Sequence, residues 1–202
     1  SIVFVALMVV GMPVAFATGI AGFVFFVVDG GMPLSVGVQK IASMSQSFPL
    51  LAVPFFVLAG HLMNESGITD RLLKVSMVAV GWISGGLAQV AILLSTLMGG
   101  VSGSAVADAA MEARILGPAM IDKGYGKGYS AAAIAVGSLI TATIPPSIGL
   151  ILYGYVGNVS IGRLFMAGII PGLLMMVVLM ATAYAIAKRR RYVVANSTKP
   201  TV

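Results

Sequence analysis

The stretch LLSTLMGGVSGSAVAD, residues 93–108, decides how this chain folds. Five small residues stand within six positions of an otherwise strongly apolar sequence: Gly99, Gly100, Ser102, Gly103 and Ser104. Glycine and serine break a helix here and expose backbone carbonyls and hydroxyls. At membrane depth, such irregular backbone is tolerated only where it is buried in protein or lines a wet cavity. The stretch therefore predicts a site for something small and polar, with an ion held by oxygen atoms as the first candidate and a polar substrate as the second.

The composition indicates an integral membrane protein. Of the 202 residues, 59% are hydrophobic and 9% are charged, and the mean hydropathy is +1.05, whereas a soluble domain carries roughly 25% charged residues. The net charge of +6 does not favour nucleic acid, because the basic residues lie at the ends of apolar segments, where they set topology. The sequence has no cysteine, which excludes disulfides and cysteine-ligated metal.

The two arms beside the glycine and serine break are too short to cross a bilayer. Leu87–Met98 and Ala105–Leu116 each hold about a dozen residues, whereas a membrane-spanning helix needs about 20. Half-length arms joined by a glycine-rich tip predict a re-entrant hairpin over residues 85–117, which enters and leaves the membrane on the same side.

A second interrupted helix is predicted over residues 128–157. Its apolar sequence is broken by TATIPPS at 141–147, where two adjacent prolines forbid a continuous helix. We expect two half-helices that meet inside the membrane. A full span is predicted over 164–187, followed by a cytoplasmic basic stop and tail over 188–202, in which the tail is expected to be disordered.

Residues 1–84 are expected to be a scaffold of helices and amphipathic interfacial segments. Residues 2–28 are apolar and predict one span kinked at Gly11 and Pro13. Two further segments follow, a short interfacial helix over 33–48 and a short second span over 49–64. The domain order is thus a scaffold over 1–84 and a transport-type core over 85–187.

The basic residues set the expected orientation. The positive-inside rule places the cluster Lys188–Arg191 in the cytoplasm. Lys123 and Lys127 then lie on the same side, and so do Arg71 and Lys74 if the hairpin does not cross. This consistency supports counting the hairpin as a non-crossing element.

The hairpin tip and the proline break offer the same ligand chemistry. Na⁺ prefers oxygen ligands, and unwound carbonyls with Ser and Thr hydroxyls supply them without a full charge. The candidate residues for Na⁺ or substrate are Gly100, Ser102, Gly103, Ser104, Thr141, Thr143, Pro145 and Ser147, with Na⁺ itself expected at Ser102, Gly103, Ser104 and Thr143. Apposed near the midplane, they would form one shared site. The alternative is that the small residues only permit close helix packing.

Four ionisable side chains have a structural interpretation. Asp108, one helical turn beyond the tip, is expected either to tune ion affinity or move with protonation, or to cap or brace the hairpin through a buried hydrogen bond. Glu112 and Arg114 are expected to be a solvated pair nearer the cytoplasmic rim. His61, the only histidine, is expected to be a satisfied polar side chain at a helix end. Nothing resembles a catalytic set, so no enzyme activity is expected.

Four segments carry a family resemblance. They are PFFVLAGHLMNESGITDRLLK at 54–74, MGGVSGSAVADAAMEARILGPAMIDKGY at 98–125, ITATIPPSIGLILYGYV at 140–156 and SIGRLFMAGIIPGLL at 160–174. In order and spacing they resemble the N-terminal half of the large membrane (M) subunit of tripartite ATP-independent periplasmic (TRAP) transporters. By this resemblance Ser102, Gly103 and Ser104 fall on a hairpin tip, and Thr143, Pro145, Pro146 and Ser147 on the facing unwound segment.

The resemblance implies a function and partners. It implies an elevator-type secondary transporter of bacterial or archaeal inner membranes, coupled to Na⁺, which needs no other cofactor. The substrate would be an organic acid such as a C4-dicarboxylate, delivered by a periplasmic substrate-binding protein, and a small membrane (Q) subunit would complete the complex. Such proteins are built from two inverted repeats. This sequence would supply one of them, and the missing second repeat is expected as its partner.

The sequence therefore predicts an all-α membrane protein. It would contain transmembrane helices, a re-entrant helical hairpin and a helix broken at Pro-Pro, together one of two expected inverted repeats. The alternatives to a Na⁺-coupled carrier are a non-transporting membrane assembly component, and a cation channel with the hairpin tip as its filter. A channel would need a symmetric oligomer that places several tips on one axis.

Overall fold

A computed structural model describes residues 2–29 and 33–192, and this part of the chain is helical without strands. Its helices are α1 (Ile2–Val9), α2 (Val14–Asp29), α3 (Leu34–Ser45), α4 (Phe48–Glu65), α5 (Ile68–Val80), α6 (Gly86–Gly99), α7 (Ala105–Asp122), α8 (Lys127–Gly137), α9 (Leu139–Thr143), α10 (Ile148–Val156) and α11 (Ile161–Arg190). The all-α prediction is confirmed.

The chain divides into two compact units, residues 1–51 and residues 52–202. In the first unit, the expected single span is instead two helices, α1 and α2. Gly11 has a φ of +85°, which ends α1, and Pro13 precedes α2 without an amide proton to donate. The predicted interfacial helix forms as α3. The predicted boundary at residue 84 separates a scaffold from a transport-type core by function, not by compactness, and it stays a prediction.

Helix α6 is the centre of the second unit. Eleven of its 14 residues are buried, which is typical of a helix surrounded by protein on every side. It packs against α5, α7, α8, α9 and α11, and its buried side chains include Leu87, Val90, Leu94 and Met98. The first arm of the hairpin is therefore held by the rest of this unit rather than by lipid.

The hairpin has the predicted break, but its second arm is longer than expected. Helix α6 ends at Gly99 and α7 begins at Ala105, so residues 100–104 form the tip. Helix α7 continues through Pro118 to Asp122, whereas the predicted hairpin ends at residue 117. Met120 explains the extension, because this side chain is fully buried in the core and gains apolar contacts only if the helix continues.

The second interrupted helix and the final span also form. Helices α8 and α9 are separated from α10 by residues 144–147, with a bend of 48° across the break. The final helix has 30 residues, about 45 Å at 1.5 Å per residue, so it exceeds the predicted 164–187 and the hydrocarbon thickness of a bilayer. Its last turn carries Lys188, Arg189 and Arg190. The predicted disordered tail beyond residue 192 lies outside the described residues.

Length and apolar character identify the helices that can cross a membrane. Among the described residues, α11 is long and apolar enough by itself. Two bent pairs pass the same test when each is taken as one span: Leu50–Met63 with Ile68–Val80, and Lys127–Thr143 with Ile148–Val156. The described chain thus has between one and three spans by this criterion, and α6 is too short to be one of them.

Candidate functional site

The hairpin tip is a short loop fixed by hydrogen bonds to its own helix ends. The amide groups of Val101 and Ser102 donate to the Met98 carbonyl at 2.8 and 2.9 Å. Ser104 caps α7, because its Oγ accepts from the amide of Ala107 at 3.4 Å, the arrangement expected of serine at a helix start. Gly103 lies between them, is buried and has a φ of +61°. Residues with a Cβ atom rarely adopt this backbone conformation.

The proline break is built in a similar way. Pro145 and Pro146 are joined by a cis peptide bond. Ser147 follows them and is fully buried. Its Oγ donates to the carbonyl of Ala142 at 2.6 Å and accepts from the amide of Leu150 at 3.4 Å. One serine hydroxyl therefore ties the end of α9 to the start of α10 and compensates for backbone groups that the prolines leave unpaired.

The tip and the break are in contact. The amide of Ile148 donates to the carbonyl oxygen of Gly103 at 3.4 Å. A Cβ atom on Gly103 would lie 2.5 Å from the carbonyl oxygen of Pro146. The two backbones therefore approach so closely that only glycine fits at position 103. A Cβ on Gly99 would likewise lie 3.0 Å from Ile144. The two interruptions thus form one continuous region of irregular backbone.

Two helices begin at this contact. Helix α7 starts directly after Ser104 and α10 directly after Ser147. A helix N-terminus carries the positive end of the helix dipole and unpaired amide groups. Their proximity favours negative charge beside the tip, whereas the hydroxyls and carbonyls of the tip favour a small cation. The region is therefore suited to an anion and a cation bound side by side.

Asp108 braces the tip. Its side chain is buried, with 2% of its surface exposed, and both carboxylate oxygens lie 2.8 Å from Ser102 Oγ, which donates to them. This contact is the one that a bracing role needs, and the role of Asp108 stays a prediction. Ser102 Oγ also accepts from the amide of Ser104 at 3.4 Å, which leaves one of its two lone pairs for a further partner.

Thr141 links the break to the first arm of the hairpin. It is fully buried, and its Oγ1 donates to the carbonyl of Ser95 at 2.9 Å. Its neighbour Thr143 is oriented differently. The Thr143 hydroxyl donates to Leu139 within the same helix at 3.2 Å, and the Thr143 carbonyl oxygen would lie 2.5 Å from a Cβ on Gly168 of α11.

The predicted site residues are therefore not equally placed. The structure brings Ser102, Gly103 and Ser104 together with Ser147, whereas the carbonyl of Thr143 faces α11 and Gly100 is an exposed residue at the end of α6. Pro145 lies in the break beside Pro146. The identity of the ion ligands stays a prediction.

The expected pair of Glu112 and Arg114 does not form. Glu112 is fully buried, and its Oε1 accepts from Ser95 Oγ at 2.7 Å. Arg114 is exposed. The reason is helical geometry, because residues four apart share a face. Glu112 therefore follows Asp108 into the core, while Arg114, two residues on, points elsewhere.

An open cavity of about 200 Å³ adjoins the tip. Its polar lining comes from Ser102, Ser104, Asp108 and His61, and its apolar lining includes Met98, Met111 and Ile148. Mixed walls of this kind are typical of small-molecule sites. The cavity thus places an imidazole beside the tip.

Sequence reasoning missed the position of His61. The prediction treated it as a satisfied side chain at a helix end, whereas it borders the cavity together with Asp108. The close approach depends on the preceding residue, since a Cβ on Gly60 would lie 3.5 Å from the Ser102 Cα. The pair Gly60-His61 was a usable signal, because glycine allows another segment to approach the helix beside the histidine. The pair does not indicate which segment approaches.

Comparison with known proteins identifies the class to which this fold and site belong. Residues 1–201 match the family described as "Tripartite ATP-independent periplasmic transporter, DctM component". The chain belongs to this family of transporter permeases, which are integral membrane proteins and not enzymes.

Individual relatives agree with this assignment. The chain is 41% identical over 186 residues to the sialic acid TRAP transporter large permease protein SiaM of Vibrio cholerae, covering 92% of this chain and 44% of that protein. It is 40% identical over 180 residues to the 2,3-diketo-L-gulonate TRAP transporter large permease protein YiaN of Escherichia coli, covering 89% and 42%. It is 38% identical over 187 residues to the isethionate TRAP transporter permease protein DctMQ of Oleidesulfovibrio alaskensis, covering 93% and 29%. The chain spans less than half the length of these relatives.

Proposed function

We propose that this chain is the hairpin-bearing part of a Na⁺-coupled secondary transporter for organic acids, which works by an elevator-type mechanism in a bacterial or archaeal inner membrane. The observation that carries the proposal is the contact between the tip and the break, with Gly103 against Pro146. Na⁺ would lie among the oxygen atoms of the tip, principally those of Ser102, Gly103 and Ser104, with Thr143 the least favourably placed of the expected ligands.

The charges around the tip support a cation there. Asp108 is buried beside Ser102, and a carboxylate one turn away raises the affinity of a neutral oxygen site for a cation. Close packing alone, the competing interpretation, explains the glycines but does not call for a buried carboxylate beside the tip.

An acidic substrate is supported by the cavity and by the helix ends. A small organic acid fits beside the tip, where the N-termini of α7 and α10 favour a carboxylate and His61 offers a hydrogen-bond donor. The relatives named above carry sialic acid, diketogulonate and isethionate, all of them acids. A C4-dicarboxylate is the simplest member of this chemical class to test.

The partners follow from the family. A small membrane subunit would complete the membrane part, a periplasmic binding protein would deliver the substrate, and a second inverted repeat would form the other half of the cavity. The basic last turn of α11 would lie on the cytoplasmic side.

Transport in reconstituted vesicles tests this proposal. The complete permease that contains this chain is placed in proteoliposomes with its small subunit and its binding protein, and uptake of sialic acid, succinate and isethionate is measured under an inward Na⁺ gradient. The proposal expects uptake of at least one acid that stops when K⁺ replaces Na⁺. Uptake that is equal in both salts would refute Na⁺ coupling.

A further inference from the structure

Glu112 is a buried acid that the proposed function leaves unused. Its side chain has no exposed surface. One carboxyl oxygen, Oε1, accepts a hydrogen bond from Ser95 Oγ at 2.7 Å. The other oxygen, Oε2, is buried without a hydrogen-bond partner. Buried polar atoms are almost always paired. The unpaired Oε2 therefore indicates that Glu112 is not an ionised carboxylate of the kind that water stabilises.

The charged groups around Glu112 do not compensate a negative charge. Helices α6, α8 and α9 pack against α7, and α6 and α9 contain no ionisable residue. On α8, Lys127 is exposed at the first residue, and the Tyr129 hydroxyl donates to the carbonyl of Ala183 on α11. On α7 itself, Asp108 lies one turn away and carries the same sign of charge.

The energetic balance therefore favours a neutral acid. Burial of an ionised carboxylate without a cation or several hydrogen bonds costs several kcal/mol, and in proteins such a group usually takes up a proton instead. The single hydrogen bond that Ser95 donates comes from an uncharged hydroxyl and offsets only part of this cost.

We propose that Glu112 is a proton-binding site, occupied in the folded chain, and that a cation bound at the hairpin tip promotes release of its proton. The first half rests on the burial of Glu112 and on its unpaired Oε2, and the second half rests on the proposed Na⁺ site. A cation beside Ser102 would offset the negative charge of Asp108, and so lower the cost of a second negative charge four residues further along the same helix face. The O–H bond of Glu112 breaks, its electron pair stays on the carboxylate, and the proton goes to water.

Proton release on addition of Na⁺ tests the coupling. The complete permease that contains this chain is kept in weakly buffered detergent solution with a pH indicator, and NaCl or KCl is added. The wild-type protein is compared with Glu112→Gln, which keeps the shape of the neutral acid. Glu65→Gln is the matched control, because Glu65 is exposed at the end of α4. Melting temperatures are recorded in both salts.

The expected result is release of up to about one proton per chain with NaCl in the wild type and in Glu65→Gln, and none in Glu112→Gln, while Na⁺ still raises all three melting temperatures. Equal release from all three proteins, or none from any of them while the Na⁺ effect persists, would overturn the coupling. A missing Na⁺ effect on every melting temperature would count against the proposed function instead.

The proton site itself is tested by the melting temperature between about pH 6 and pH 10 without Na⁺. A folded chain that binds more protons than the unfolded chain loses stability as pH rises. We expect a steeper fall of the melting temperature for the wild type and Glu65→Gln than for Glu112→Gln, and parallel curves would overturn the site.

If Glu112→Gln does not fold, Ser95→Ala replaces it. Ser95 donates a hydrogen bond that stabilises the ionised form of Glu112. Its loss should move the fall of the melting temperature to higher pH than in the wild type, and an unchanged curve would overturn the site.

Discussion

The amide of Ile148 donates a hydrogen bond to the carbonyl oxygen of Gly103, with the two atoms 3.4 Å apart. This bond joins the first residue of one half-helix to the tip of the re-entrant hairpin. The tip therefore cannot change its position without a change at the proline break. A cation held at the tip would therefore also affect the second broken helix through this contact.

Gly103 is the residue on which this contact depends most. Gly103→Ala would place a Cβ 2.5 Å from the carbonyl oxygen of Pro146 and force alanine into a φ of +61°. We expect a loss of about 2 to 4 kcal/mol of stability, measured by thermal unfolding of the complete permease in detergent. Gly100→Ala is the matched control, since its nearest heavy atom is 3.6 Å away. Equal melting temperatures for the two variants would contradict the described contact.

The same break is packed against α11 through small residues. A Cβ on Gly168 would lie 2.5 Å from the carbonyl oxygen of Thr143. Gly168→Ala should destabilise the permease by about 1 to 3 kcal/mol despite the better helix propensity of alanine. Gly162→Ala on the same helix meets its nearest heavy atom at 3.9 Å and should be neutral or stabilising. The order of the two melting temperatures is the measurement, and a reversed order would show that α11 does not pack as described.

Ser102 and Asp108 should act as one unit. Ser102→Ala, Asp108→Asn and the double variant form a cycle in which the hydrogen bond to the carboxylate appears as a coupling free energy. A hydrogen bond to a charged group is worth about 1.5 to 3 kcal/mol, so we expect a coupling of that size from chemical unfolding. A coupling below about 0.5 kcal/mol would mean that the two side chains act independently.

His61 should affect substrate and not stability. It is exposed at the cavity rim, so His61→Ala removes a hydrogen-bond donor without opening a core cavity. We expect about a tenfold weaker apparent affinity for the transported acid, equivalent to roughly 1.4 kcal/mol, with an unchanged melting temperature. Leu62→Ala is the control on the same helix, because Leu62 is 61% exposed and does not line the cavity. Equal uptake curves for both variants would exclude His61 from the site.

The membrane class, the hairpin and the broken helix could be predicted from local sequence. The glycines and serines of residues 100–104 and the tandem prolines interrupt the helices, and the first arm of the hairpin is too short for a full crossing. These are properties of short segments, so they do not depend on tertiary contacts. The same reasoning placed the division of the first apolar run at Gly11 and Pro13, although it predicted a kink where two helices form.

The positions of individual side chains needed the structure. The sequence placed Glu112 with Arg114 because both are charged, whereas packing of α7 against α6 decides which face is buried. It predicted the end of the hairpin at residue 117, whereas α7 continues to Asp122 and buries Met120. The position of His61 beside Ser102 depends on how α4 meets the tip, which is a long-range contact without a local pattern.

The most direct test of the central claim, a Na⁺ site at the contact of tip and break, is the melting temperature of the complete permease in NaCl and in KCl at equal ionic strength. A bound ion at about 100 times its dissociation constant adds about 2.7 kcal/mol of stability. We predict a higher melting temperature in NaCl, which Ser102→Ala reduces. Identical melting curves for the wild-type protein in both salts would contradict the account.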